Sequence, residues 1–213
     1  MGWRDPLDVY CERTDASFWS EPLNALTNAG FLIAAGDIRR RLGRSAPADI
    51  QWLTALLAMV GIGSFIFHTV AERWASVLDV AFIALFVLFF IHRALVHLFG
   101  WHSTRAAGAV LATLSLTALL ATSVKIEALN GSELYLGPWA ALIALAMACP
   151  SGEAKRWLSR AAILFMVSMT FRSIDMQLCE SLPTGTHFLW HLNNALVLWC
   201  GLRGMISGMP RTN

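Results

Sequence analysis

Ser64 and His68 place a hydroxyl and an imidazole inside an otherwise apolar run of the chain. Residues four apart lie on one face of an α-helix, so these two side chains point the same way. Gly61 and Gly63 beside them would let a neighbouring helix approach closely. His68 alone is compatible with a packed, hydrogen-bonded histidine, but ionisable groups inside apolar spans usually have a function.

His187 and His191 repeat the same four-residue spacing far along the chain. Three histidines are a common ligand set of a catalytic zinc ion, which keeps its fourth position for water. Taken alone, the second pair is also compatible with two interfacial imidazoles at the start of a helix. Together with His68, the pair predicts a zinc site.

The composition indicates an integral membrane protein. Of the 213 residues, 56% are hydrophobic and 14% are charged, and the mean hydropathy is positive, which is too apolar for an ordinary soluble domain. The net charge of +2 is spread over short segments, so no basic patch suggests a nucleic-acid partner. Charged residues in the first twenty positions exclude a signal peptide, and no linker divides the chain, so residues 1–213 form one domain.

Apolar runs of membrane-spanning length predict an all-α bundle of seven transmembrane helices. Residues 1–20 precede them as an extramembrane segment. The predicted spans cover residues 21–38, 51–70, 77–98, 105–124, 134–149, 157–174 and 187–206.

Charge asymmetry between alternate loops predicts the orientation. One set is basic: Arg39, Arg40, Arg41, Arg44, Arg93, Arg105, Lys155, Arg156, Arg160, Arg203 and Arg211. The other set is mostly acidic, with Asp5, Asp8, Glu12, Asp15, Glu72, Glu127, Glu133, Asp175 and Glu180 beside the scattered bases Arg4, Arg13, Arg73 and Lys125. The positive-inside rule therefore places the N-terminus outside and the C-terminus in the cytoplasm.

This orientation brings the candidate residues to one membrane depth. Span two runs outward, so its late residues Ser64 and His68 lie toward the outer face. Span three begins outside with Asp79 near its start, and span seven begins outside with His187 and His191. The agreement favours one site built from three distant segments.

A polar stripe and an acidic cluster lie near the start of span one. Asn24 and Asn28 follow Glu21 on one helix face, where the asparagines are also compatible with hydrogen bonds between helices. The acidic residues at this boundary are Asp8, Glu12, Asp15 and Glu21. Such a cluster could hold a hard cation through oxygen ligands.

These motifs, in this order, resemble the alkaline ceramidase family, integral-membrane amidases of the wider CREST hydrolase superfamily. The resemblance spans nearly the whole chain and rests on Tyr10-Cys11-Glu12, Glu21 with Asn24 and Asn28, Gly61-x-Gly63-Ser64-x-x-x-His68, Leu78-Asp79, Ile174-Asp175, Cys179-Glu180-Ser181 and His187-x-x-x-His191. It implies a seven-helix fold and zinc held by His68, His187 and His191. It also implies proton transfer by Asp79, a serine at Ser64 beside the metal, and a calcium site in the acidic N-terminal segment.

The sequence departs from the family pattern around the expected calcium site. The segment between Glu12 and Glu21 is shorter than in the eukaryotic enzymes, and Val9 stands where a carboxylate is expected. The expected calcium ligands are Asp8, the Tyr10 carbonyl, Glu12, Thr14 or Asp15, and Glu21. The brief loop before His187 looks more like the prokaryotic branch, which implies a bacterial inner membrane; a eukaryotic member would lie in endomembranes.

The expected function is zinc-dependent hydrolysis of the amide bond of ceramide or a related N-acyl lipid, giving a fatty acid and an amine. Asp79 is the predicted proton-transfer group and Ser64 the predicted oxyanion donor. The alternative is a non-enzymatic seven-helix receptor or a structural zinc protein, although a structural site prefers four protein ligands. The expected partner is a membrane lipid, and the sequence names no protein partner.

Cysteine placement predicts one disulfide. Cys149 and Cys200 belong to spans, whereas Cys11 and Cys179 both lie outside in the predicted topology. Because the outer compartment is oxidising, we expect a Cys11–Cys179 bridge, which the family resemblance also implies. The bridge would hold the acidic N-terminal segment over the outer mouth of the bundle.

Overall fold

The computed structural model describes residues 2–42, 46–124, 126–150 and 152–209. Arg44, Lys125 and Arg211, which enter the orientation prediction, lie outside these residues.

The described chain is all-helical. Its α-helices are α1 (Pro22–Thr27), α2 (Ala29–Leu42), α3 (Ala48–Val70), α4 (Arg73–Phe99), α5 (Ser103–Ser123), α6 (Leu136–Ala148), α7 (Glu153–Ile174) and α8 (His187–Ser207). Short 3-10 helices cover Glu127–Leu129, Ser132–Tyr135 and Met176–Leu178. No strand occurs in these ranges, and Pro6 and Glu72 form a single antiparallel bridge.

The first predicted span is divided at Asn28 into α1 and α2, whereas the other six match α3 to α8 to within four residues at each end. The division has a local cause, because side chains compete for the backbone carbonyls. The Asn28 amide donates to the carbonyl of Asn24 at 2.8 Å, and the Thr27 hydroxyl donates to that of Leu23 at 2.7 Å.

Within the described part of the chain, three helices are long and apolar enough to cross a membrane: Ala48–Val70, Arg73–Phe99 and Ser103–Ser123. The apolar stretch Ser132–Ala148 is shorter. The side chains of Leu111, Leu114 and Leu119 on α5 are exposed. An apolar outer face of this kind is expected where a helix meets lipid rather than water.

Successive helices from α2 to α8 pack against one another, and α8 also packs against α2. Two glycines on α3 permit close approach, as the sequence predicts. A Cβ on Gly61 would lie 2.9 Å from the carbonyl oxygen of Asn28, and one on Gly63 would lie 2.7 Å from the Phe82 ring. Because any larger side chain would push these elements apart, the glycines set how closely α3 meets α4 and the start of α2.

The N-terminal segment is fixed across the turn between α3 and α4. The backbone amide of Leu7 donates to the carbonyl of Ala71 at 2.7 Å, and that of Arg73 donates to the carbonyl of Asp5 at 3.2 Å. Ala71 adopts a left-handed conformation with φ of 48°. The segment therefore lies over the end of the molecule that carries His68.

Candidate metal centre

The three predicted histidines come together in the folded chain. His68 lies in the last turn of α3, and His187 and His191 lie in the first two turns of α8. Their side chains are buried, and the possible ligand nitrogens all lie within 4.8 Å of one another. Among the described residues, this is the group of His, Cys, Asp or Glu side chains close enough to share a metal ion.

The nitrogens of this cluster suit a metal ion. Nε2 of His68 and Nδ1 of His187 are buried and have no hydrogen-bond partner within the described chain. Buried polar atoms without partners are rare because losing water without replacement costs free energy. Three imidazole nitrogens with room for a fourth ligand fit the pattern of catalytic zinc.

Two of the imidazoles are oriented by a second polar contact. Nδ1 of His68 lies 2.6 Å from Oε2 of Glu21, and Nδ1 of His191 lies 3.1 Å from the Thr27 hydroxyl. A carboxylate or hydroxyl on one ring nitrogen fixes the tautomer that leaves the other nitrogen free for metal. Neither contact is apparent from the sequence, because Glu21 immediately before α1 and Thr27 at its end lie far from the histidines along the chain.

His187 is held by a hydrogen bond from its backbone amide to Asp175 and by stacking on the Tyr10 ring. The buried Asp175 carboxylate accepts hydrogen bonds from the amides of Thr186 at 2.6 Å, His187 at 2.9 Å and Cys11 at 3.1 Å. A carboxylate at a helix start satisfies amides that have no intrahelical partner. The Tyr10 ring stacks on His187 with centroids 3.7 Å apart. Asp175 therefore positions the start of α8, a role that its place in a loop did not reveal.

Ser64 and Asp79, the other two predicted site residues, line one cavity together with His191. Ser64 is one turn before His68 on α3, and Asp79 lies on α4. Oδ1 of Asp79 is buried and has no partner in the described part of the chain. A carboxyl group and a hydroxyl group thus line the same space as one of the three imidazoles.

An apolar cavity of about 250 Å³ opens from this group. Ser64, Asp79 and His191 line it together with many apolar side chains. Its lining extends along α8 from His191 to Gly201, which corresponds to about 15 Å of helix. Such a mostly apolar cavity, with a few polar groups in its lining, suits a long apolar ligand that carries one polar group.

The residues expected to bind calcium either contact other groups of the protein or are exposed. The Glu12 carboxylate accepts hydrogen bonds from the amides of Leu23 at 2.7 Å and Asn24 at 2.8 Å, and burial raises the pKa of its carboxyl group. Glu21 contacts Arg13 and His68, while Asp8 and Thr14 are exposed. Glu12 therefore caps the start of α1.

Asp15, the alternative to Thr14, is also engaged locally. Its carboxylate accepts a hydrogen bond from the Ser17 amide at 2.7 Å, and hydrogen bonding to Ser17 lowers the pKa of Asp15. Calcium binding by this segment stays a prediction, because the contacts of Glu12, Glu21 and Asp15 described here are to protein groups.

The predicted disulfide is confirmed. Cys11 and Cys179 are joined, with their Cα atoms 5.2 Å apart, while Cys149 and Cys200 are free and buried. The bridge ties the N-terminal segment to the loop before α8. It therefore places Tyr10 against His187.

Comparison with known proteins adds no family to this geometry. No protein-family model matches the chain, and no curated protein matches it. Functional inference therefore depends on the residues themselves and on their arrangement.

Proposed function

We propose that the protein is a zinc-dependent amide hydrolase that cleaves ceramide or a related N-acyl lipid to a fatty acid and an amine. The observation that supports this proposal most strongly is the shared cavity. Ser64, Asp79 and His191 line the same space as a long set of apolar side chains. A reactive polar group at one part of an apolar cavity matches a substrate with one amide and a long acyl chain.

His68, His187 and His191 would hold the zinc ion. When bound, zinc supplies Lewis acidity toward the amide carbonyl and lowers the pKa of water toward ~7. Glu21 and Thr27 keep the rings of His68 and His191 oriented for this role through their Nδ1 contacts.

Asp79 would transfer the proton during hydrolysis. As the water oxygen bonds to the carbonyl carbon, a carboxylate oxygen of Asp79 accepts the water's proton. Asp79 then gives this proton to the leaving nitrogen as the C–N bond breaks. The unpartnered Oδ1 of Asp79 is available for the transfer.

Ser64 would donate a hydrogen bond to the oxygen that gains negative charge. Ser64 and Asp79 line the same cavity. Removal of one such donor typically lowers the rate by about 10²–10³-fold.

A membrane location fits this chemistry. We propose seven spans, with α1 and α2 together as the first, the N-terminus outside and the C-terminus in the cytoplasm. The membrane is the bacterial inner membrane for a prokaryotic chain and an endomembrane for a eukaryotic one. A lipid substrate would then reach the cavity laterally. The motif resemblance to alkaline ceramidases supports the same reading.

The proposal is tested by measuring fatty-acid release from N-acyl lipids by the purified full-length protein in lipid nanodiscs. We expect release from at least one N-acyl sphingoid lipid, loss of release after metal chelation, and recovery with Zn²⁺. His187→Ala should be inactive, whereas His102→Ala is a matched control because His102 is exposed outside the cluster.

Two results would contradict the proposal. Normal release by His187→Ala would remove the histidine cluster from the chemistry. Bound zinc without hydrolysis of any N-acyl lipid would instead favour a receptor or a structural zinc protein.

A further inference from the structure

Arg13 is a buried cation in the N-terminal segment. Only 4% of its side chain is exposed, and the Glu21 side chain that it contacts is 3% exposed. A buried charge requires close partners because leaving water costs several kcal/mol. The contacts of Arg13 therefore indicate what its charge does.

The Arg13 guanidinium donates three hydrogen bonds to oxygen atoms of the described chain. Nε donates to Oε1 of Glu21 at 2.5 Å, and the two terminal nitrogens donate to the carbonyls of Asp15 at 3.0 Å and His68 at 3.2 Å. One carboxylate and two carbonyls are also the oxygen types that a hard cation such as Ca²⁺ prefers. The guanidinium thus lies among groups that would otherwise suit a metal ion.

Arg13 is linked to the histidine cluster through Glu21. The two oxygens of that carboxylate face in different directions, Oε1 to Arg13 and Oε2 to Nδ1 of His68 at 2.6 Å. The side-chain amide of Asn24 also donates a hydrogen bond to Oε2 of Glu21 at 3.0 Å. Arg13 contacts both Glu21, which holds Nδ1 of His68, and the backbone carbonyl of His68. Arg13 therefore helps to fix the His68 imidazole through its carboxylate partner and through the His68 backbone.

We propose that the Arg13 guanidinium takes the place of a calcium ion in this chain, neutralising Glu21 and positioning His68 without any divalent cation in the N-terminal segment. Arg13 is a positioning residue, since it acts on the cluster through Glu21. The effect on zinc rests on the proposed function, whereas independence from calcium does not.

The first test uses the unaltered protein. Purified full-length protein is passed through buffer cleared of divalent cations by a chelating resin, supplied with Zn²⁺, and titrated with CaCl₂ or, as a control, MgCl₂. We expect substoichiometric calcium by elemental analysis and the same thermal midpoint throughout. Stoichiometric calcium, or a midpoint that rises with Ca²⁺ and not with Mg²⁺, would overturn the proposal.

The second test removes the guanidinium. Arg13→Ala should bind zinc about 10–100-fold more weakly, the usual effect of losing the support of a metal-binding histidine. Arg4→Ala is the matched control, because Arg4 is an exposed arginine in the same segment. Arg13→Lys should recover only part of the affinity, since an ammonium group lacks the planar arrangement of donors that meets all three oxygens.

Adding guanidinium ion to Arg13→Ala shows whether the variant binds zinc weakly because it has lost a cation or because it has lost side-chain packing. Millimolar guanidinium chloride should restore zinc affinity to Arg13→Ala, whereas the same concentration of NaCl should not. Equal zinc affinity of Arg13→Ala and Arg4→Ala would contradict the proposal, and so would a folded Arg13→Ala protein that guanidinium leaves unchanged.

These outcomes remain separate from those of the proposed hydrolase. If the unaltered protein binds no zinc, the hydrolase proposal fails, while the calcium titration still decides whether the segment needs a divalent cation. If Arg13→Ala does not fold, the same titration of the unaltered protein decides the result.

Discussion

At the scale of single residues, the histidines depend on partners that lie far away in sequence. His68 is oriented by Glu21 and His191 by Thr27, and both partners lie at or within α1. Such contacts typically change metal affinity by 10–100-fold when they are lost. Substitution of Glu21 or Thr27 should therefore change metal affinity measurably, although neither residue is a proposed ligand.

Asp79 offers a residue-scale prediction that separates chemistry from metal binding. Asp79→Asn keeps the shape of the side chain but removes the base, so we expect zinc content to persist while turnover falls by roughly 10²-fold or more. Asp8→Asn is the control because Asp8 is exposed. Zinc content and fatty-acid release are measured on the same preparations, and near-normal turnover would assign proton transfer to another group.

The types and spacing of residues in the sequence predicted the histidine cluster but not the residues that orient the histidines. The spacing of His187 and His191, and the polar pair Ser64 and His68, were sufficient to predict that these side chains share a site. Arg13 gave no comparable signal, because a basic residue in a loop is usually solvated. Only the folded path of the N-terminal segment places it against Glu21.

At the scale of elements, the ends of α3 to α8 follow from apolar runs and charged flanks, whereas the break at Asn28 does not. Hydrophobicity continues through residues 21–38, so the sequence predicts one span. The break depends on side-chain hydrogen bonds to backbone carbonyls, which hydropathy does not measure. It brings Thr27 into contact with α8.

The Cys11–Cys179 disulfide joins the N-terminal segment to the loop that precedes α8. Cys11→Ser with Cys179→Ser should lower the thermal midpoint, because a bridge between residues 168 apart in sequence restricts the unfolded chain. The chain-entropy relation gives about 5 kcal/mol for a loop of this size. Helices that stay inserted on unfolding would reduce this value, so we expect a smaller decrease.

Thiol labelling provides the direct check of the bridge. Folded, non-reduced protein should offer no Cys11 or Cys179 thiol to an outer-side reagent, and both should react after reduction. Cys149→Ser with Cys200→Ser is the control, because these buried cysteines are free. Labelling of Cys11 and Cys179 only from the cytoplasmic side would contradict the proposed orientation.

At the scale of the whole molecule, the cavity results from the packing of several helices. Its lining includes Phe31 of α2, Val87 of α4, Thr113 of α5 and Leu142 of α6. Because the lining combines residues from α2 to α8, no single stretch of sequence signals the cavity. The sequence predicts an apolar bundle, and the space inside it depends on how closely the helices meet.

Gly201 tests whether this cavity holds an acyl chain. A Cβ at Gly201 would lie 3.2 Å from the Phe90 ring, and both residues line the cavity. Gly201→Leu should therefore lower kcat/KM for long-chain N-acyl lipids more than for short-chain ones. Gly36→Leu is the control, since no atom lies within 4 Å of an added Cβ there. An equal decrease for all chain lengths would contradict this use of the cavity.

The most direct measurement of the central claim is the zinc content of the purified protein, of three cluster variants and of one control variant. We expect one zinc per chain in the unaltered protein and in His102→Ala, and loss of zinc in His68→Ala, His187→Ala and His191→Ala, because a three-ligand site rarely survives loss of one imidazole. Elemental analysis of folded protein gives the ratio. Stoichiometric zinc in any two of the three cluster variants would contradict the assignment of these histidines as the metal ligands.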